Sequence, residues 1–285
     1  MNWFYFAMFS SLATAIANIL NKVLMKNDKS DALLSAILFQ FTITSFYFII
    51  TVFTGFIMPP IMKYPVNFLL AGFFYGMGTY CIFQAYKYIE SSEATIISSS
   101  VVLVTIFSAI IFLNEKLSFI NIIGILLIIT AVIGVSLKKK INNISINRKG
   151  VYYALGMAIF YGLGATNDAY LIRYVEPISY LVINSFLPGL FLLLISFRSI
   201  KKINYYFKIN NVSKLLVFSF FYVLSGIGFY TALSRGAQVS QLSTITKSSV
   251  VITVILAAIF LKEKDRIWQK ILFGLLVILG VFLMR

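Results

Sequence analysis

Apolar stretches of about 20 residues alternate with short polar segments along the whole chain. An α-helix needs about that length to cross the hydrocarbon core of a bilayer. The ten stretches span residues 3–25, 32–57, 67–87, 93–113, 118–137, 150–172, 178–197, 214–233, 239–261 and 267–284. The connections are too short to form a soluble domain. The pattern therefore predicts an all-α integral membrane protein with ten transmembrane helices.

Composition supports this interpretation and excludes several functions. Of the 285 residues 60% are hydrophobic and 12% are charged, whereas soluble domains are about 25% charged. The net charge of +15 lies in short segments between apolar stretches, which fits a membrane surface better than a nucleic acid. The chain has no His and one cysteine, Cys81, so we expect no disulfide, metal or other cofactor. The expected location is the plasma membrane.

Lysine and arginine residues concentrate in every second connection. The connections after the first, third, fifth, seventh and ninth stretches hold 17 of the 24 Lys and Arg residues, and the other side holds five. Cytoplasmic loops carry the excess of positive charge in membrane proteins. The charges therefore predict that both termini are extracytoplasmic.

The chain contains an internal repeat. Residues 94–116 and 242–264 share ten identities in 23 positions, and both copies end in Glu-Lys, as FLNEK and FLKEK. This predicts a first five-helix repeat over 1–140 and a second over 141–285. Because five is odd, the second copy enters the membrane the opposite way. Inverted repeats are typical of transporters with a site between the repeats, although a duplicated scaffold without transport is an alternative, and two fused repeats favour a monomer.

Two segments also resemble a known family: SSEATIISSSVVLVTIFSAIIFLNEKLS (91–118) and QVSQLSTITKSSVVITVILAAIFLKEK (238–264). They resemble the EamA branch of the drug/metabolite transporter superfamily. The resemblance implies a secondary carrier without ATP hydrolysis. It also implies that helices 1–4 and 6–9 surround a central cavity and that helices 5 and 10 lie at the periphery. Many relatives keep both termini in the cytoplasm, whereas the loop charges here predict the reverse.

Lys247 lies within the ninth stretch, where a charge costs at least roughly 2.5 kcal/mol. Its ammonium could reach the membrane surface, form an ion pair with Asp168, or contact a substrate in a cavity. Asp168 is the only carboxylate well inside a predicted span, near the end of the sixth. Intramembrane ionisable residues usually mark function, and this favours the third interpretation.

Polar residues around these two charges complete the predicted site. Ser240, Ser243, Thr244 and Lys247 share one helix face by their spacing, and Ser99 is the counterpart of Lys247 in the other repeat. The residues predicted to bind substrate are Lys247, Asp168, Ser240, Ser243, Thr244, Ser99, Asn21, Gln84, Tyr80 and Tyr230.

These observations predict a secondary active transporter of small hydrophilic metabolites, with amino acids or related zwitterions first. A cation and an anion in one cavity suit a carboxylate and an amine, and protons are a possible coupling ion. An efflux carrier for quaternary cations is the alternative, in which aromatic side chains offer cation–π contacts. A non-transporting scaffold or an enzyme is disfavoured, because the sequence has no large loop and no nucleophile or metal cluster.

Overall fold

The structure, a computed structural model, describes residues 3–26, 30–113, 119–136, 147–172, 174–196, 209–235, 246–263 and 265–283. Eleven α-helices lie in these ranges, and the all-α prediction is confirmed. They are α1 (Trp3–Met25), α2 (Ala32–Thr54), α3 (Pro65–Tyr88), α4 (Ser91–Ser98), α5 (Val101–Leu113), α6 (Phe119–Ser136), α7 (Arg148–Leu171), α8 (Pro177–Ile195), α9 (Ile209–Ser234), α10 (Ser249–Phe260) and α11 (Ile267–Leu283).

The outer surface of the helices is apolar. Six segments of the described ranges are long and apolar enough to cross a membrane, among them Ser91–Phe112, which includes both α4 and α5. Shorter apolar segments lie in α6, α10 and α11. Phe53 and Trp268 are 85% and 80% exposed, and soluble proteins rarely expose large apolar patches. The surface therefore suits contact with lipid.

Glycine ends the second helix earlier than the apolar pattern predicts. The apolar pattern continues to residue 57, but α2 ends at Thr54 because Gly55 has a φ of +92°. Side chains other than glycine rarely adopt such a backbone conformation. The amide of Gly55 bonds the Thr51 carbonyl at 2.9 Å and closes the last turn.

The fourth predicted stretch, residues 93–113, is two helices rather than one. A turn at Ser99 and Ser100 separates α4 from α5. The hydroxyl of Ser99 bonds the Thr95 carbonyl at 2.9 Å, and that of Ser100 bonds the Ile97 carbonyl at 2.8 Å. Serine hydroxyls that bond carbonyls one turn back bend helices, so consecutive serines explain the interruption.

A turn also precedes α10 at the corresponding step of the sequence repeat. Lys247 and Ser248 form a turn, and the amide of Val250 bonds the Lys247 carbonyl at 3.0 Å. Ser99 and Lys247 are 148 residues apart, which is the offset of the sequence repeat. Both halves therefore have a turn at the same step, directly before α5 and α10.

The packing of the helices also relates the two halves. Helices α1 and α7 begin the two halves, and each packs on helices of the other half. α1 packs on α9 and α10, and α7 packs correspondingly on α3 and α5. Two other large contacts, α2 with α8 and α6 with α11, join helices at corresponding positions of the two sequence halves, and α3 also packs on α8. The longest helices thus surround a common centre.

Candidate functional site

A cavity of about 410 Å³ lies at this centre. Ligand sites for small molecules have volumes of about 300–1,000 Å³. Helices α1, α2, α3, α5, α7, α8, α9 and α10 contribute to its wall, together with the turn before α10. Among the described residues, α6 and α11 contribute none, as the resemblance implies for helices at the periphery.

One wall of the cavity is a row of small polar side chains on α1. The hydroxyl of Thr14 lies 2.5 Å from that of Ser225 on α9, and Ser10 donates to the Ser225 carbonyl at 2.9 Å. Further along α1, Asn18 donates to Thr253 on α10 at 3.3 Å. These bonds fix α1 against the second half of the chain and leave a polar surface toward the cavity.

Asp168 lies on the cavity wall and accepts hydrogen bonds from four side chains. The hydroxyls of Tyr180 and Tyr75 lie 2.5 Å from Oδ1 and 2.7 Å from Oδ2 of Asp168. Tyr230 and Asn184 donate to Oδ2 at 3.3 and 3.4 Å. An ionised carboxylate only accepts hydrogen bonds, so these donors can stabilise its charge inside the membrane without a cation.

The segments next to Asp168 are held in place by local bonds. Asn67 at the start of α3 donates to Asn167 at 2.8 Å, and Asn167 donates back to the Asn67 carbonyl at 3.0 Å. Glu176 caps α8 by accepting from the amides of Ile178 and Ser179 at 3.0 and 2.6 Å. The ends of α7 and α8 are therefore fixed where Asp168 and Tyr180 meet.

The capping bonds also set the charge state of Glu176, which precedes the membrane-spanning part of α8. Partial burial alone raises the pKa of this carboxyl group. Hydrogen bonds from the Ser179 side chain and from the amides of Ser179 and Ile178 outweigh that effect, and the pKa lies below its ordinary value. The cap is therefore an anion at neutral pH.

Lys247 also lines the cavity, on the turn between Thr246 and Ser248. Its ammonium makes no hydrogen bond or ion pair with any residue that the structure describes. The ion pair with Asp168, one of the three interpretations of the sequence, is not formed in this structure. A desolvated charge is costly unless it is paired, so the cavity presents a cation that lacks a counterion among the described residues.

The structure brings four of the predicted substrate contacts together and places three elsewhere. Lys247, Asp168, Asn21 and Tyr230 line the cavity. Ser99 is 2% exposed, and its hydroxyl donates to the Thr95 carbonyl within the helix turn. Gln84 donates to Tyr80 at 2.9 Å, outside the cavity wall. Ser240, Ser243 and Thr244 lie outside the described residues.

Sequence reasoning missed two tyrosines that hold Asp168. Tyr75 lies on α3 and Tyr180 at the start of α8, and both are among many aromatic residues of the chain. The spacing of Tyr180 and Asn184, four residues apart, puts them on one helix face. That face could have been recognised as a partner for a buried carboxylate.

Comparisons with known proteins agree with this architecture. No curated protein matches the sequence, whereas 28 chains of solved structures match the fold. One crystal structure of another protein superposes with a TM-score of 0.61 at 14% sequence identity, over 99% of this chain and 94% of that one. At such low identity the likeness shows the fold alone.

The sequence itself matches a family of membrane transporters. The model of the EamA-like transporter family matches residues 1–137 and 148–285, which include nearly the whole chain. The resemblance of the two Glu-Lys segments to this family is confirmed. The protein is an integral membrane protein, and the chain belongs to the EamA-like transporter family.

Proposed function

We propose that the protein is a secondary carrier for a small zwitterion, with amino acids as the first candidates. The observation that carries this proposal is Lys247, which lines the cavity and whose ammonium has no partner among the described residues. A substrate carboxylate would supply the missing anion. Asp168 on another part of the wall would accept the substrate amine, since its Oδ1 has one hydrogen bond and room for another.

Alternating access would move this substrate. We infer that residues 1–140 and 141–285 are inverted five-helix repeats and that the chain has ten membrane spans. The corresponding packing of α1 on α9 and α3 on α7 supports the repeat, as do the turns at Ser99 and Lys247. Transporters of this architecture bind substrate near interrupted helices at the middle of the membrane.

Binding can be tested with the purified protein. A ligand at 100 times its Kd stabilises the folded state by about 2.7 kcal/mol. We expect neutral amino acids to raise the melting temperature, and amino acid amides, which lack the carboxylate, to fail. Lys247→Met should abolish the shift. Lys87→Met is the matched control, because Lys87 lies outside the cavity wall and bonds only the Ser30 carbonyl among the described residues.

The second candidate is an efflux carrier for quaternary cations. The observation in its favour is the cluster of three tyrosines around Asp168, since carboxylates and aromatic faces attract cations. Lys247 argues against it, because like charges in one cavity repel. Stabilisation by quaternary amines alone, unchanged in Lys247→Met, would replace the first proposal with the second.

Protons are the coupling ion that we propose. Asp168 is the carboxylate on the described cavity wall, and it could exchange a proton as substrate binds and leaves. Counterflow in proteoliposomes tests this role, because exchange of labelled for unlabelled substrate needs no net proton movement. Asp168→Asn should lose accumulation driven by a pH gradient and retain part of the exchange, because the asparagine oxygen still accepts a hydrogen bond from the substrate amine but cannot exchange a proton. Equal accumulation in the variant and the parent protein would exclude this role.

A further inference from the structure

The junction between α3 and α4, residues 89–92, is bonded to the second half of the chain. The carboxylate of Glu263, which follows α10, accepts from the amides of Ser91 and Ser92 at 3.0 and 3.2 Å and from the Ser92 hydroxyl at 2.9 Å. Glu263 is 9% exposed and Ser92 is 1% exposed. A buried anion at the first amides of a helix is a strong contact, because these amides have no partner within the helix.

Two lysines hold the same junction from other helices. Lys270 on α11 forms an ion pair with Glu90 and is 5% exposed. Lys22 at the end of α1 donates to the carbonyls of Tyr86 and Ile89 at 2.7 and 2.5 Å. The 89–92 junction is thus clamped between α1 on one side and the segment joining α10 to α11 on the other.

This clamp adjoins one end of the cavity. Asn21 and Tyr86 line the cavity wall, and Lys22, the residue after Asn21, bonds the carbonyl of Tyr86. Lys22 and Tyr86 connect the cavity wall to the junction, and Glu263 bonds the same junction at Ser91 and Ser92. The contact of Glu263 with Ser91 and Ser92 therefore lies next to this end of the cavity.

We propose that the bonds from Glu263 to Ser91 and Ser92 form a gate, which holds the cavity closed at the end of the 89–92 junction. The gate must break before the cavity opens to that face of the membrane. This inference rests on the alternating access of the proposed function, but it is independent of the substrate. Charge-assisted bonds suit such a gate because they are strong when dry and are replaced readily by water once the helices separate.

Cysteine accessibility tests the gate in sealed vesicles of the full chain. Cys81, the one native cysteine, is first replaced by serine, and Val101→Cys places a thiol on the cavity wall. A membrane-impermeant thiol reagent is then applied from each face. We expect Glu263→Gln to speed labelling from the face of the 89–92 junction about tenfold, because the variant loses charged hydrogen bonds that favour the closed state. Labelling from the other face should not increase.

Two further variants separate gating from a general loss of stability. Ser92→Ala removes one neutral donor and should raise the labelling rate in the same direction by a smaller factor, even if Glu263→Gln does not fold. Glu176→Gln is the matched control, because Glu176 caps its own helix α8 through similar bonds. It should leave labelling from the face of the 89–92 junction unchanged.

The inference is overturned if Glu263→Gln and Ser92→Ala label at the parent rate from the junction face, or if Glu176→Gln raises that rate equally. Because labelling needs no substrate, the result is independent of the binding panel. Faster labelling without any amino acid binding would uphold the gate and refute the proposed substrate. Amino acid binding without a change in labelling would refute the gate and uphold the proposed substrate.

Discussion

Asp168 on α7 accepts a hydrogen bond of 2.5 Å from the hydroxyl of Tyr180 on α8, and a second of 2.7 Å from Tyr75 on α3. The two tyrosines come from different halves of the chain. The carboxylate therefore joins the halves on the cavity wall, and its position depends on aromatic hydroxyls instead of on Lys247.

Tyr180→Phe should destabilise the protein because it leaves an oxygen of Asp168 without its closest donor. Hydrogen bonds to charged groups contribute about 1.5–3 kcal/mol, and unfolding in detergent measures the loss. Tyr64→Phe is the control, because Tyr64 stacks on Tyr174 at 5.1 Å outside the cavity. If both variants unfold alike, the tyrosines around Asp168 have no special role.

Gly226→Ala should disturb the cavity wall through Tyr47. A Cβ at position 226 on α9 would overlap the Tyr47 hydroxyl, whereas the ring carbon that carries it would be 3.3 Å away. Overpacking of this kind costs about 1–3 kcal/mol. The double variant Gly226→Ala/Tyr47→Phe removes the overlapping oxygen and should recover most of the stability. A double-mutant cycle measures this coupling, and simple additivity would show that the two residues are independent.

The protein should lose the stabilising contribution of Glu176 in acid. Its pKa in the folded state lies below the ordinary value of 4.5. The cap therefore stabilises the fold above that value, and the contribution is lost as the pH falls through the lower pKa of the folded state. The difference in melting temperature between the parent protein and Glu176→Gln should be constant near neutral pH and shrink below pH 4.5. A difference that stays constant in acid would contradict this linkage.

The membrane orientation remains a prediction from the loop charges. A reporter enzyme active only in the cytoplasm, fused after residue 285, should be inactive, because the charges place the C-terminus outside. The same reporter inserted in the connection around residues 138–149, which is rich in lysine, should be active. Activity at the C-terminus would invert the topology.

The sequence was sufficient to predict an all-α membrane protein and the two ionisable residues that line the cavity. The length of an apolar stretch predicts a membrane span because the thickness of the bilayer sets the length of the helix that crosses it. An ionisable residue within such a stretch is easily recognised, because its neighbours are apolar. Lys247 and Asp168 are such residues, and both line the cavity. Interruptions depend on weaker local chemistry, and so the turn at Ser99 was not predicted.

The faces of the helices could not be predicted. On α3 the cavity residues Tyr75, Ile82 and Tyr86 lie on one face of the helix. Tyr80 and Gln84 lie on the opposite face. A helix that is apolar all round gives no hydrophobic stripe to show which face is inward. Tyrosine suits lipid interfaces as well as cavities, so only the packing of α7 and α8 identifies the tyrosines that hold Asp168.

The turns at Ser99 and Lys247 share a backbone bond although their side chains differ. The amides of Val102 and Val250 bond the carbonyls of Ser99 and Lys247 at 3.2 and 3.0 Å. The Ser99 hydroxyl bonds the Thr95 carbonyl, whereas Lys247 lines the cavity. One step of the sequence repeat can therefore serve helix packing in one half of the chain and place a charged residue on the cavity wall in the other.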